Sequence, residues 1–269
     1  MTTHRLINRR MALSEMGKAG LAIVVFGAAA CTDEGAGTTT TTRGTTATTA
    51  QSETTSSGSA GPTTTTASAT TSIPAASSFQ RVNLDFVSAY ILYRGSEAVL
   101  VDTGVEGSAD AIEAALGEVG LDWGVVGHVV LTHKHPDHAG SVDDVMTRAP
   151  EATLYAGALE IPQITSATPP QPVGDGDNVF GLKIIDSPGH TAGHICVLDA
   201  TAGILVTGDA LGGADGGVVP PDASFSEDMS VAMESVLKLG GFTYEIALFG
   251  HGEPLTQGAS AAVAALAAG

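Results

Sequence analysis

The sequence predicts an α/β domain in which two β-sheets pack face to face with helices outside. Two observations carry this. Short β-branched apolar runs, separated by Gly, Asp and Pro turn signals, recur through residues 79–269, and segments with apolar residues at helical spacing alternate with them. A third observation sets the boundary. Residues 32–78 are mostly Thr, Ser, Ala and Gly, with too little apolar surface to offset the entropy of ordering, so they read as a disordered linker. The 191 residues from Phe79 onward suffice for one domain with a sizeable core.

Within that domain, Ala89–Tyr93 and Ala98–Val101 flank Arg94-Gly95-Ser96-Glu97 and read as a hairpin. Ile112, Leu116 and Val119 define a helix with Ser108 as candidate cap and Gly120 as stop. Val125–Leu131 is a buried strand. Val142, Val145 and Met146 mark a second helix, and Ala152–Tyr155 a further strand. Phe180–Ile185, Ile195–Leu198 and Ile204–Val206 follow as short strands. Ala232, Met233, Val236 and Leu237 form one helical face, Ile246–Phe249 a last strand, and Ala259–Ala268 a closing Ala-rich helix. Every candidate ligand falls at a strand end, where loops converge on a site.

From Phe79 onward, 25 acidic residues stand against six basic ones. So acidic a surface repels phosphate backbones and argues against nucleic-acid partners. Of the two cysteines, Cys196 sits in an apolar strand and reads as a small core residue. Residues 1–31 read as an export signal: Arg9-Arg10 stand where a twin-arginine signal carries its pair, and Ala19–Ala30 is too short for a permanent span. Ala28-Ala29-Ala30-Cys31 resembles a prokaryotic lipobox, which implies lipidation of Cys31 and display on the outer face of the cytoplasmic membrane; ordinary cleavage and secretion is the alternative.

Chemistry concentrates in His133-Lys134-His135-Pro136-Asp137-His138. Imidazole and carboxylate together suit zinc or a similar borderline metal. Ligands so close in sequence divide most naturally between two neighbouring ions, which calls for a second group. His190, Asp209 and His251 each follow an apolar strand beside a glycine and can supply it. Together these positions hold five of the eight histidines. Of the rest, His128 reads as structural and His4 as part of the signal, while Lys134 is expected to face solvent.

This pattern resembles the metallo-β-lactamase fold superfamily. Val99-Leu100-Val101-Asp102-Thr103-Gly104 is similar to its first motif, the HxHxDH loop to its second, and His190, Asp209 and His251 to the remaining three. The resemblance implies an αββα sandwich. It also implies that His133, His135 and His190 hold one divalent ion, that Asp137, His138 and His251 hold another, and that Asp209 bridges them. Zinc is the expected metal, with iron or manganese as alternatives. Asp102, Thr191 and His194 are expected to support the ligands without touching metal. The implied chemistry is attack of a metal-bridging hydroxide on an acyl carbonyl, with Asp137 orienting the nucleophile or passing a proton.

Departures from known branches narrow the substrate. Superfamily β-lactamases carry Cys or a non-ligand where Asp209 stands, and the redox diiron branch carries Glu where His135 stands. Glyoxalase II shares the ligand set but adds a C-terminal domain and bases for glutathione. Here Lys238 is the only base after Lys183, and the sequence continues only briefly beyond His251. A neutral ester, lactone or thioester is therefore the expected small-molecule substrate. The Gly- and Pro-rich segment Leu211–Asp222 and the neighbourhood of Gln171-Pro172 are expected to line the site. The alternatives are a mononuclear iron enzyme of the persulfide dioxygenase type, a β-lactamase, and a silent surface-displayed binding module.

Overall fold

In the computed structural model, residues 76–269 are described. The expectations for the export signal, for Cys31 and for most of the linker lie outside them. The first sheet has the order β1 (Ser78–Leu84), β2 (Val87–Arg94), β3 (Glu97–Val101), β4 (Val126–Leu131), β5 (Thr153–Gly157) and β6 (Gln171–Val173). The second runs β13 (Ile246–Phe249), β10 (Ile204–Gly208), β9 (Ile195–Asp199), β8 (Leu182–Asp186) and β7 (Asn178–Val179). A separate hairpin joins β11 (Gly212–Ala214) to β12 (Gly217–Val219). Among the described residues there are five α-helices: α1 (Ala109–Glu118), α2 (Pro136–Ala139), α3 (Val142–Arg148), α4 (Met229–Leu239) and α5 (Ala259–Ala268).

Strand alternation explains the layering. Successive strand side chains point to opposite faces, so a strand buried on both sides reads as a continuous apolar run. On β3, Ala98 and Leu100 pack with Ile112 and Leu116 of α1, while Val99 and Val101 face the other sheet. On β9, Ile195 and Val197 meet that inter-sheet core, while Cys196 and Leu198 pack with Val236 and Leu239 of α4. Three apolar layers therefore separate four layers of structure, the expected αββα sandwich.

The structure corrects three local expectations. Ser108 sits at the start of α1 but makes no side-chain cap hydrogen bond. Leu237 is exposed at 63%, because α4 buries Ala232, Ser235, Val236 and Leu239, and Leu237 lies off that stripe. The folded unit starts slightly before Phe79: Ser77 is buried, and Ser78 opens β1 against Tyr93. Cys196 is a buried, unpaired thiol whose pKa burial pushes up to about 12, as a core residue requires.

Ser77 also joins a buried ion pair. Arg94 reaches Asp199 at 2.9 Å, and Asp199 accepts the backbone N–H groups of Ser77, Thr201 and Ala202. Burial alone would raise this carboxyl; the hydrogen bonds from Ser77, Ala202 and Arg94 outweigh it and hold the pKa at about 2. A depressed carboxyl pKa stabilises the fold above its unfolded value and loses that contribution as pH falls towards the folded one. Asp199→Asn should therefore cost on the order of 1–2 kcal/mol at pH 7. In thermal melts the gap from the parent should narrow as pH falls from 5 towards 3; a constant gap would contradict the assignment.

Candidate metal centre

The ends of parallel strands build the site. β3 and β4 in one sheet, with β10 and β13 in the other, run parallel as pairs, and β8 lies two antiparallel steps from β10. The loops leaving β4, β8, β10 and β13 carry His133–His138, His190, Asp209 and His251 respectively. His133 and His135 sit two apart, with His135 held extended (ψ 145°) by the following Pro136. Pro136 then opens α2, which turns Asp137 and His138 away from that pair.

The result is two adjoining groups: His133, His135, His190 and Asp209, then Asp137, His138 and His251. His133 Nε2 and His190 Nε2 each lie 3.0 Å from His135 Nδ1, and Asp209 Oδ2 is 3.4 Å from His190 Nε2. In the second group, His251 Nε2 is 3.3 Å from Asp137 Oδ2 and 3.5 Å from His138 Nε2. Asp209 touches both groups, because Oδ1 lies 3.2 Å from His138 Nε2 and Oδ2 lies 3.2 Å from His251 Nε2. All seven expected ligands thus meet in one place.

Supporting bonds fix which nitrogen faces the centre. His138 Nδ1 is 2.8 Å from Asp102 Oδ2, and Asp102 also accepts the Thr132 N–H and hydroxyl. Asp102 adopts φ 62°, a costly backbone for a non-glycine residue, so these bonds hold a strained turn in place. His251 Nδ1 donates to the Phe86 carbonyl at 2.7 Å. His194 is buried, pairs with Ser187 Oγ at 2.8 Å and accepts the Asp209 N–H at 3.2 Å. It therefore holds the Asp209 backbone in place. Thr191 is buried too, but its hydroxyl has no partner; its carbonyl, which accepts the Gly189 N–H, is what shapes the His190 loop. Lys134 departs from expectation. It folds onto Glu227 at 2.5 Å rather than facing solvent. The site floor is backbone: a Cβ on Gly250 would stand 2.2 Å from Asp209 Oδ1 and 2.6 Å from His138 Cε1.

Electrostatics divides the histidines. Burial lowers His133 well below the usual imidazole range and His190 to about 4, so both present a free lone pair at neutral pH. Burial also opposes charge on His138, but Asp209 and Asp102 outweigh it and raise that pKa well above normal. His251 is pushed up to about 10 by its hydrogen bonds to Asp137 and Asp209. Burial would raise Asp209 as well; the His138 charge overrides it and holds the carboxyl well below its ordinary range.

A cavity of about 660 Å³ opens onto the centre. Its wall includes Leu211, Val219, Pro220 and Pro221 of the segment expected to line the site. Gln171-Pro172 do not contribute. They form part of β6 at the far edge of the first sheet, and Phe86 and Phe225 line the cavity in their place. Phe86 is 58% exposed and Phe225 69%. No lysine or arginine lines the cavity among the described residues. A bulky Phe in the short β1–β2 turn was a legible signal for this wall; nothing local marked Phe225.

An αββα sandwich with paired His/Asp clusters at its strand ends has the arrangement of a metal-binding protein. The chain belongs to the metallo-beta-lactamase superfamily, which its residues 82–251 match. It is 30% identical over 178 residues to the lactamase-like protein adaB of Aspergillus niger, covering 64% of this chain and 51% of that protein. It is 28% identical to the atrochrysone carboxyl ACP thioesterase of Emericella nidulans, with 63% and 52% of the two chains covered. The hydroxyacylglutathione hydrolase of Dechloromonas aromatica is 33% identical, over 57% of this chain and 54% of that one. The chain thus spans about half the length of these relatives. Among solved structures, a metallo-beta-lactamase family protein of Thermus thermophilus superposes with a TM-score of 0.58 at 22% identity, over 71% and 78% of the two chains. At that identity the likeness shows the fold.

Proposed function

We propose that the chain is a dinuclear metal-dependent hydrolase of neutral acyl substrates: esters, lactones or thioesters. The observation that carries this reading is Asp209, a carboxylate only 10% exposed and in contact with both ligand groups. The donor set fits such ions. Two ligands of one tetrahedral zinc stand roughly 3.3 Å apart, close to the 3.0 Å spacings around His135. Among the described residues, the cavity wall presents Asp137, Asp209 and Asp222 with only histidines to balance them, a charge distribution suited to bound cations. His133, His135 and His190 would hold one ion, Asp137, His138 and His251 the other, and Asp209 both. Bound there, divalent ions supply Lewis acidity and a water of lowered pKa.

The chain's own groups do the rest. Asp137 reaches the cavity with its side chain 26% exposed. Burial works against its ionisation, but the His251 hydrogen bond and the His138 charge overcome this and keep it ionised at neutral pH. It orients the attacking water and takes up its proton at a carboxylate oxygen, from which the leaving group regains it. Phe86, Leu211, Val219 and Phe225 bind the apolar part of the substrate, and the cation-free wall disfavours anionic acyl carriers.

In support, two of the relatives are named as a thioesterase and a hydroxyacylglutathione hydrolase. The test is a panel of ester, lactone, thioester, phosphodiester and β-lactam substrates, run with and without chelator. Chelator-sensitive cleavage of neutral acyl substrates is expected; turnover confined to β-lactams, or to persulfide with one iron per chain, would overturn the proposal. Phe225→Ser should raise KM about tenfold for long-chain acyl esters and little for acetyl esters, as loss of an aromatic contact requires. An equal effect on both would remove Phe225 from the binding wall. The same proposal places the enzyme outside the cytoplasm, tethered through Cys31, and rests on Arg9-Arg10 and the apolar run before that cysteine. Recovery of full-length, unlipidated chain from the cytoplasm would contradict it.

A further inference from the structure

Glu160 is fully buried, stands outside every ligand-bearing loop and takes no part in the chemistry above. Its two carboxyl oxygens serve two different loops. Oε2 accepts the N–H of Lys134, between His133 and His135, at 2.8 Å. Oε1 accepts the N–H of Gly193, three residues after His190, at 2.7 Å. These are the two loops whose histidine nitrogens converge at 3.0 Å. The approach is close: a Cβ on Gly193 would stand 2.8 Å from the Glu160 nitrogen and 2.9 Å from its Oε1. A second tie between the same regions, Lys134 to Glu227, has its carboxylate 43% exposed and is open to screening by salt. Burying a carboxyl is costly unless its oxygens are well satisfied. Here both are, by donors from the two loops that must stay in register.

From this geometry we infer that Glu160 is a positioning residue of the metal centre, the buried strap that sets His190 against His133 and His135. The inference rests on the proposed reading of that cluster as a metal site. Glu160→Gln keeps one carbonyl acceptor and turns an amide NH2 towards the other N–H. Gly193→Ala pushes a methyl group against the same contact from the opposite side and leaves the carboxyl intact.

The test uses the full chain stripped of metal, with zinc affinity measured by competition against a chromophoric chelator. The visible spectrum of bound cobalt(II) reports ligand geometry, and circular dichroism with thermal melts reports the fold without metal. Both variants should keep the apo fold, lose about ten- to a hundredfold in affinity at one of two sites, and show an altered cobalt spectrum. Should Glu160→Gln fail to fold, Gly193→Ala decides the question. Wild-type zinc affinity and spectrum in a folded variant, with only the melting temperature lowered, would reduce Glu160 to a structural tie and overturn the inference alone. A parent chain that binds no divalent ion would overturn the metal reading, and this inference with it.

Discussion

Replacing Asp209 by asparagine is expected to lower kcat/KM by about 10³-fold, some 4 kcal/mol of transition-state stabilisation, and to abolish stable binding of a second ion. The expectation follows from position. Asp209 Oδ1 faces His138 at 3.2 Å, and Oδ2 faces His251 and His190 at 3.2 and 3.4 Å, so one carboxylate serves both groups. Asparagine keeps the shape and removes the charge, leaving an amide that offers a cation at most one neutral oxygen. The backbone position should survive, because the His194 ring bonds the Asp209 N–H and not its side chain. Steady-state kinetics and metal content on the same sample check this. An Asp209→Asn chain with two ions and parental kcat/KM would show that no bridge is needed.

The second large effect is expected at Gly250, which bears no chemistry. Its φ is not positive, so alanine adds only a methyl group, but that methyl would sit 2.2 Å from Asp209 Oδ1 and 2.6 Å from His138 Cε1. Something must move, and the neighbours are two proposed ligands. Displacing catalytic groups by about 1 Å costs roughly 10²-fold in rate, and overpacking adds about 1–3 kcal/mol of destabilisation. Gly250→Ala should therefore lose about a hundredfold in kcat while staying folded. Gly127→Ala is the control, since a Cβ there meets nothing within 4 Å. Equal, near-parental rates for both variants would show that the Gly250 floor does not hold the centre in place.

Much of the candidate centre was legible in the sequence because His133, His190, Asp209 and His251 each stand within four residues of the end of an apolar strand. The supporting role of Asp102 was implied only by the family resemblance of Val99–Gly104. Other parts were hidden for definite physical causes. β1 (SFQRVNL) buries only Val82 and lies at a sheet edge, so it lacks the apolar pattern of an inner strand. β6, β7, β11 and β12 are two or three residues long, and α2 spans only four, below any periodicity. The inner strands β9 and β10 announce themselves as apolar runs, yet burial on both faces erases the alternation that would say which side meets which sheet. Glu160 and Phe225 reach the site from distant segments, and no local spacing brings them together.

The proposed function requires two ions serving one acyl-hydrolysing site. The direct measurement is titration of the metal-stripped full-length chain with zinc, following neutral acyl hydrolysis and bound metal in the same samples. Activity should be negligible without metal and should rise to a plateau reached only at two equivalents per chain. Full activity at one equivalent, or undiminished activity in the stripped chain, would contradict two-ion hydrolysis.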